Sequence, residues 1–130
     1  MNAETSMSNT EAVTSTLMKL AMDGAALRHQ AIAANIANAT SAGYVPVRVD
    51  FEQRLQQARE RLEAGETPAS VAAESSASIE SDAAANTAGA GTVDVQVAQL
   101  AQNVVHYQAL LKGWSKRMSI LSAAINEGKR

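Results

Sequence analysis

His29 and His106 are the two imidazoles of this chain, and a shared metal or a proton relay is the chemistry two histidines could carry. Neither has an HxxxH or HExxH companion, and two imidazoles alone make a poor metal site. His29 reads as a surface residue of a first helix, and His106 as a flank of a later apolar stripe. Asp50 and Glu52 form a second candidate, a carboxylate pair. They sit near the start of a short helix and do not converge there, so capping and solvation account for them. The glycines show no GxGxxG or GxxxxGK pattern that would cradle a phosphate. The serines lie in small-residue segments without the strained turn that exposes a nucleophile. Lys112, Lys116 and Arg117 form a small basic patch that reads as a solvated face. No catalytic, cofactor or metal residue emerges, and the chain is read as a non-enzyme that needs no cofactor.

Two asparagines stand apart. Asn35 and Asn38 are three residues apart, on one surface near a helix end, and each offers donors and an acceptor. Two roles are open to them. They could close the helix and tie down the turn at 40–44, or bond backbone groups of an adjacent subunit.

The elements that position these residues follow from periodicity. Residues 1–9 are small and polar and are expected to be unfolded. Thr10 before Glu11 serves as a candidate N-cap for a helix over 10–39. Its stripe Val13, Leu17, Leu20, Gly24, Leu27, Ala31, Ala34, Asn38 alternates steps of four and three. The stripe is thin, and its small residues let another backbone approach. Gly43 can take the positive φ that ends the helix. Val45–Val49 alternates and is β-branched, hence extended, and Pro46 limits it to an edge or a loop. A short helix is expected over about 51–63, capped by Asp50, with Phe51, Leu55, Ala58 and Leu62 on one side. Its mixed charges read as a solvated face.

Residues 64–92 are rich in Ala and Ser, lack aromatics and carry four net negative charges. They read as a flexible linker with Val71 and Ile79 as its only bulky apolar residues. Residues 93–130 carry the strongest pattern. Val97, Leu100, Val104, Tyr107, Leu111, Trp114, Met118, Leu121 and Ile125 alternate steps of three and four, all large and apolar. Asp94 suits the cap or first turn, and Lys129 and Arg130 complement the dipole beyond the last turn. Gly113 in mid-helix marks either a close contact or a tolerated weak point costing about 1 kcal/mol. The expected fold is all-α: two long terminal helices in an antiparallel or coaxial, coiled-coil-like hairpin, with a short extended segment and short helix between them. The second stripe is much broader than the first, so helices from other chains are expected to complete its packing.

Composition agrees with a dependent partner. Within 130 residues there is room for one domain at most. Alanine supplies 27 residues of the 46% hydrophobic content, which leaves little bulky surface for a core of the chain's own. A net charge of −2 gives no nucleic-acid footprint. Without cysteine there is no disulfide or thiolate chemistry. The first residues lack the basic and apolar regions of a cleavable secretory signal, and no run reaches the ~18 apolar residues of a membrane span.

Asn35-Ile36-Ala37-Asn38-Ala39, the turn closing on Gly43-Tyr44, and Asp50-Phe51-Glu52 resemble the N-terminal signature of the flagellar basal body rod protein family. Thr40 stands where the family often has Asp, and Ala42 where it often has Pro. Toward the C-terminus, Val93-Asp94-Val95, Ala101-Gln102-Asn103, Tyr107-Gln108-Ala109-Leu110, Lys116 and Ala124-Ile125 are similar to its proximal-rod members. The family's Asn before Val-Asp is replaced by Gly91-Thr92. The resemblance covers about 13–55 and 92–126 and leaves the linker unmatched. It implies a structural subunit exported unfolded by the flagellar type III export apparatus, without signal cleavage. The subunit would assemble in the periplasm into a multi-subunit helical tube with other rod subunits and an inner-membrane ring or rod adaptor. No nucleic acid or small-molecule substrate is implied. The interface residues it points to are Asn35, Asn38, Gly43, Tyr44 and Phe51, with the nine residues of the C-terminal stripe. A soluble helical adaptor or export chaperone would also explain the stripes, but not Asn35, Asn38, Gly43 and Tyr44 together.

Overall fold

The computed structural model describes residues 3–84 and 92–129, with side chains from residue 7 onward. Expectations for residues 1, 2, 85–91 and 130, including the glycines at 89 and 91, lie outside the described residues. The element order is α1 (Ala3–Ala37), β1 (Val47–Val49), α2 (Phe51–Glu63), α3 (Pro68–Glu74), β2 (Ile79–Ser81) and α4 (Val93–Gly128). The two long helices lie antiparallel, as expected, with Asn35 beside Gln96 and Glu11 beside Arg117. β1 and β2 form a two-stranded antiparallel sheet in the register Val47 to Ser81, Arg48 to Glu80 and Val49 to Ile79.

The N-terminal boundary differs from expectation. Helix α1 begins at Ala3 and runs through Thr10, so residues 3–9 are not unfolded and Thr10 is not the cap. The threonines that follow bond within the helix: the Thr14 and Thr16 hydroxyls donate to the carbonyls of Thr10 and Ala12, four residues back. Such back-bonding is compatible with helix interior.

The linker expectation is also overturned over 64–84. Helix α2 ends on Gly65 at φ +94°, where Gly65 N–H reaches Leu62 O and Glu66 N–H reaches Arg61 O. This paired closure needs a left-handed residue, which glycine supplies without strain. Thr67 then caps α3, its hydroxyl accepting from Ser70 N–H, and Pro68 stands in the first turn, where no donor is needed. Val71 is completely buried against Ala58 and Leu62, with Val13, Leu17 and Leu20 around them. The charges of α2, expected to be a solvated face, fasten this segment. Arg61 pairs with Glu66 and, at 2.7 Å, with Glu74. Arg54 donates to Ser76 O at 2.7 Å and lies 3.4 Å from Glu80. Arg59–Glu63 alone behaves as the simple exposed i,i+4 pair.

Helix α1 carries two adjoining faces. The thin stripe read from sequence does not face α4. Val13, Leu17 and Leu20 pack on the α2–α3 cluster, while Leu27 and Ala31 pack with Val49 and Phe51. The face toward α4 is a second line. Glu11, Ala25 and Asn35 bond to α4, and Met18 lies 3.4 Å from where a Cβ on Gly113 would stand. That is an ordinary van der Waals distance at an exposed position, so Gly113 is a tolerated weak point and not a close contact.

Gly24 is where the first face comes closest. A Cβ there would stand 2.6 Å from Cγ of Phe51, a buried ring. Overpacking of this kind costs about 1–3 kcal/mol and outweighs the ~1 kcal/mol that alanine gains over glycine inside a helix. Gly24→Ala is therefore expected to lower the urea midpoint of unfolding. A midpoint at or above the parent's would show that the ring moves aside freely.

Candidate assembly interface

Asn35 sits at the end of α1, 3% exposed, and its carboxamide makes four hydrogen bonds. Its Oδ1 accepts from the Tyr44 hydroxyl at 2.9 Å and from Val47 N–H at 2.8 Å. Its Nδ2 donates to Val47 O at 2.8 Å and to Gln96 Oε1 at 3.0 Å. Both backbone groups of Val47 are met by one side chain, as they would be by a residue of a neighbouring strand. Of the two roles open to Asn35, the structure shows the local one: it ties the turn, β1 and α4 to the end of α1. Asn38 acts locally as well, its Nδ2 bonding Ala34 O at 2.8 Å. Gly43 takes the expected positive φ, +75°, but it does not end the helix: α1 stops at Ala37, and Gly43 lies in the later turn closed by Tyr44 N–H to Ser41 O.

Phe51 is likewise an internal residue. Its ring lies against Gly24, with the Arg28 guanidinium 4.2 Å above its centroid and the His106 ring 6.3 Å away. Arg28 also grips Glu52 with two bonds of 2.5 and 2.6 Å and donates to Val49 O at 2.7 Å. Asp50 stands at the N-cap position of α2 but, contrary to expectation, makes no side-chain cap bond, while Glu52 is held by Arg28. Hydrogen bonding to Arg28 holds the Glu52 carboxyl below its ordinary 4.5. A depressed carboxylate contributes stability above its unfolded pKa and loses it as pH falls through the folded value. Acidification below about pH 4.5 is therefore expected to cost the parent more stability than Glu52→Gln. Parallel pH profiles for the two proteins would show that the pair contributes nothing.

The C-terminal stripe divides along its length. Half of it turns toward α1: Leu100, Tyr107, Trp114 and Leu121 are half-buried. Between them on that face stand Gln96 and Asn103, both buried, and half-buried Leu110 and Arg117. The other half is exposed: Val97 50%, Val104 38%, Leu111 45%, Met118 37% and Ile125 60%. These five recur every seven residues and so form one line along the helix. The line beside it, Ala101, Gln108, Ser115 and Ser122, is exposed and uncharged. A 36-residue helix thus has one face on α1 and an adjoining apolar face that stays exposed.

Gln96 and Asn103, which help position α4, were not singled out in the sequence, and Arg117, expected on a solvated face, is half-buried and paired. Asn103 Nδ2 donates to Ala25 O at 2.8 Å in a buried setting. Arg117 Nη2 reaches both the carbonyl and, at 2.5 Å, the carboxylate of Glu11, while its Nε is buried without a partner. The signal was present: Gln96, Asn103, Leu110 and Arg117 repeat every seven residues beside the large apolar stripe. A groove of about 650 Å³ lies between the β1 edge and α4, lined by Arg28, Asn35, Glu52, Gln96, Asn103 and His106 among others. His29 is exposed on α1. Among the described residues no three His, Cys, Asp or Glu side chains cluster as metal ligands, and no helix is long and apolar enough to cross a membrane. Compared with family models, curated proteins and solved structures, the chain matches none of them.

Proposed function

We propose that the chain is a structural subunit of the bacterial flagellar basal body rod, closest to the proximal rod protein FlgB. The observation that carries this reading is the exposed line Val97, Val104, Leu111, Met118, Ile125 on α4. Burying large apolar side chains is worth about 1.5–3 kcal/mol each, and a seven-residue repeat matches the seam of another helix. The Asn35–Tyr44 signature and Asp50-Phe51-Glu52 supply the link to rod proteins. On this reading the line packs on helices of neighbouring rod subunits, and the contacts are heterologous, as an open helical tube requires. Leu100, Tyr107, Trp114 and Leu121 hold the hairpin together behind it. Asn35, Asn38, Gly43, Tyr44 and Phe51 shape the subunit from within.

The subunit would reach the periplasm through the flagellar type III export apparatus without losing a signal peptide. It would meet the inner-membrane ring or rod adaptor below and other rod subunits above. Electron cryo-tomography of basal bodies in cells lacking the gene tests this. A membrane ring without a rod is the expected result. Intact rods would sink the proposal, and the exposed line would then be the binding face of a helical adaptor or export chaperone.

A further inference from the structure

The two outer edges of the small sheet differ. Asp82 N–H donates to Pro46 O at 2.8 Å, while both backbone groups of Val47 turn away to Asn35. Backbone groups alternate sides along an antiparallel strand. Residues 46, 48, 80 and 82 therefore face the ladder, and the groups facing outward are those of Val47 and Val49 on β1, and of Ile79 and Ser81 on β2. The β1 edge is mostly closed: Asn35 meets both groups of Val47, and Arg28 donates to Val49 O at 2.7 Å. The β2 edge is open, because among the described residues the backbone groups of Ile79 and Ser81 have no partner beyond β1. Ile79 is 44% exposed and Ser81 is exposed. An open edge is a template for an added strand.

We infer that the open edge of β2 docks an extended segment of another protein, one in which a basic residue lies between two β-branched residues. Main-chain bonds to Ile79 and Ser81 would hold it, as in strand addition. The residue facing Glu80 would meet its carboxylate, which is 42% exposed and shares a single 3.4 Å contact with Arg54. Asp82, one step past the strand, adds a second carboxylate, with Arg48 across the ladder from Glu80. The flanking residues would lie beside Ile79 and cover its exposed side. A second copy of β2 does not fit: antiparallel pairing that sets Ile79 against Ser81 places the two Glu80 carboxylates face to face, which is destabilising. This inference does not rest on the rod reading.

Amide hydrogen exchange of the ¹⁵N-labelled full chain tests it, with a terminally blocked heptapeptide carrying lysine between two valines as the probe. The peptide is expected to slow exchange at Ile79 and Ser81 by about tenfold or more, as added protection of an open edge would. Glu80, already in the ladder, should change little. The same peptide methylated on its pairing amides should leave both amides fast, and glutamate in place of lysine should weaken the effect about tenfold. Ser81→Pro removes one outward N–H and spares the ladder, so it should abolish docking in the folded chain. Unchanged exchange with the unmodified peptide would overturn the inference. So would equal protection by the methylated one, or protection that grows with protein concentration alone.

Discussion

Asn35→Ala is expected to lower the unfolding free energy by about 4 kcal/mol, since it removes four hydrogen bonds worth roughly 1 kcal/mol each. Little else in the chain can replace them. The Val47 N–H and C=O point away from β2, so the sheet cannot take them up, and Tyr44 and Gln96 lose the group that joined them. Domains of this size have only about 5–15 kcal/mol in total, so this single change takes a large part of it. Tyr44→Phe, which removes one bond of the four, should cost about 1 kcal/mol. Urea denaturation of the three proteins checks both values. An alanine variant within 1 kcal/mol of the parent would mean that water replaces the carboxamide without loss.

If the proposed rod reading holds, Leu111→Asp is expected to abolish incorporation into the rod and with it swimming, while the isolated chain keeps its helicity. Leu111 is 45% exposed, so aspartate there is solvated in the single chain. In an assembled seam the same carboxylate would be buried without a partner, at a cost of several kcal/mol per subunit. Trp114→Asp should also fail, for a different reason: Trp114 lies on the α1-facing side, half-buried, and its loss damages the hairpin itself. Soft-agar motility and circular dichroism of both variants separate the two causes. Normal motility with Leu111→Asp would remove the exposed line from the proposed interface.

Sequence pattern carried the outline of this fold where one strong local signal acted alone. Helix α2 occupies the expected 51–63, because Phe51, Ala58 and Leu62 share one face, and Gly43 ends the first turn with a positive φ. Composition misled over 64–84. Averaging over many small residues outweighed the two bulky ones that order the segment: Val71 fills a pocket between α1 and α2, and Ile79 sits beside Val49. A short helix that depends on Thr67, Pro68 and Gly65 is specified by single positions, not by periodicity. The face of α1 toward α4 was hard to see because Ala25, buried and bonded to Asn103 through its carbonyl, scarcely differs from the alanines around it. Asn35 could be singled out by spacing, but which of its two roles applied depended on Val47 and Gln96, twelve and 61 residues away.

Among the described residues, polar ties cross from α1 to α4 at Asn35 to Gln96, the Ala25 carbonyl to Asn103, and Glu11 to Arg117. They are spread over about 30 Å of α4 at 1.5 Å per residue. Two smooth apolar helices can shift against each other by one turn and find similar contacts again. A carboxamide or guanidinium cannot, because its partner then lies about 5 Å away. The hairpin therefore behaves as a keyed shaft: force along its axis meets the side-chain stops Asn35–Gln96 and Glu11–Arg117, one near each end, before either helix can creep.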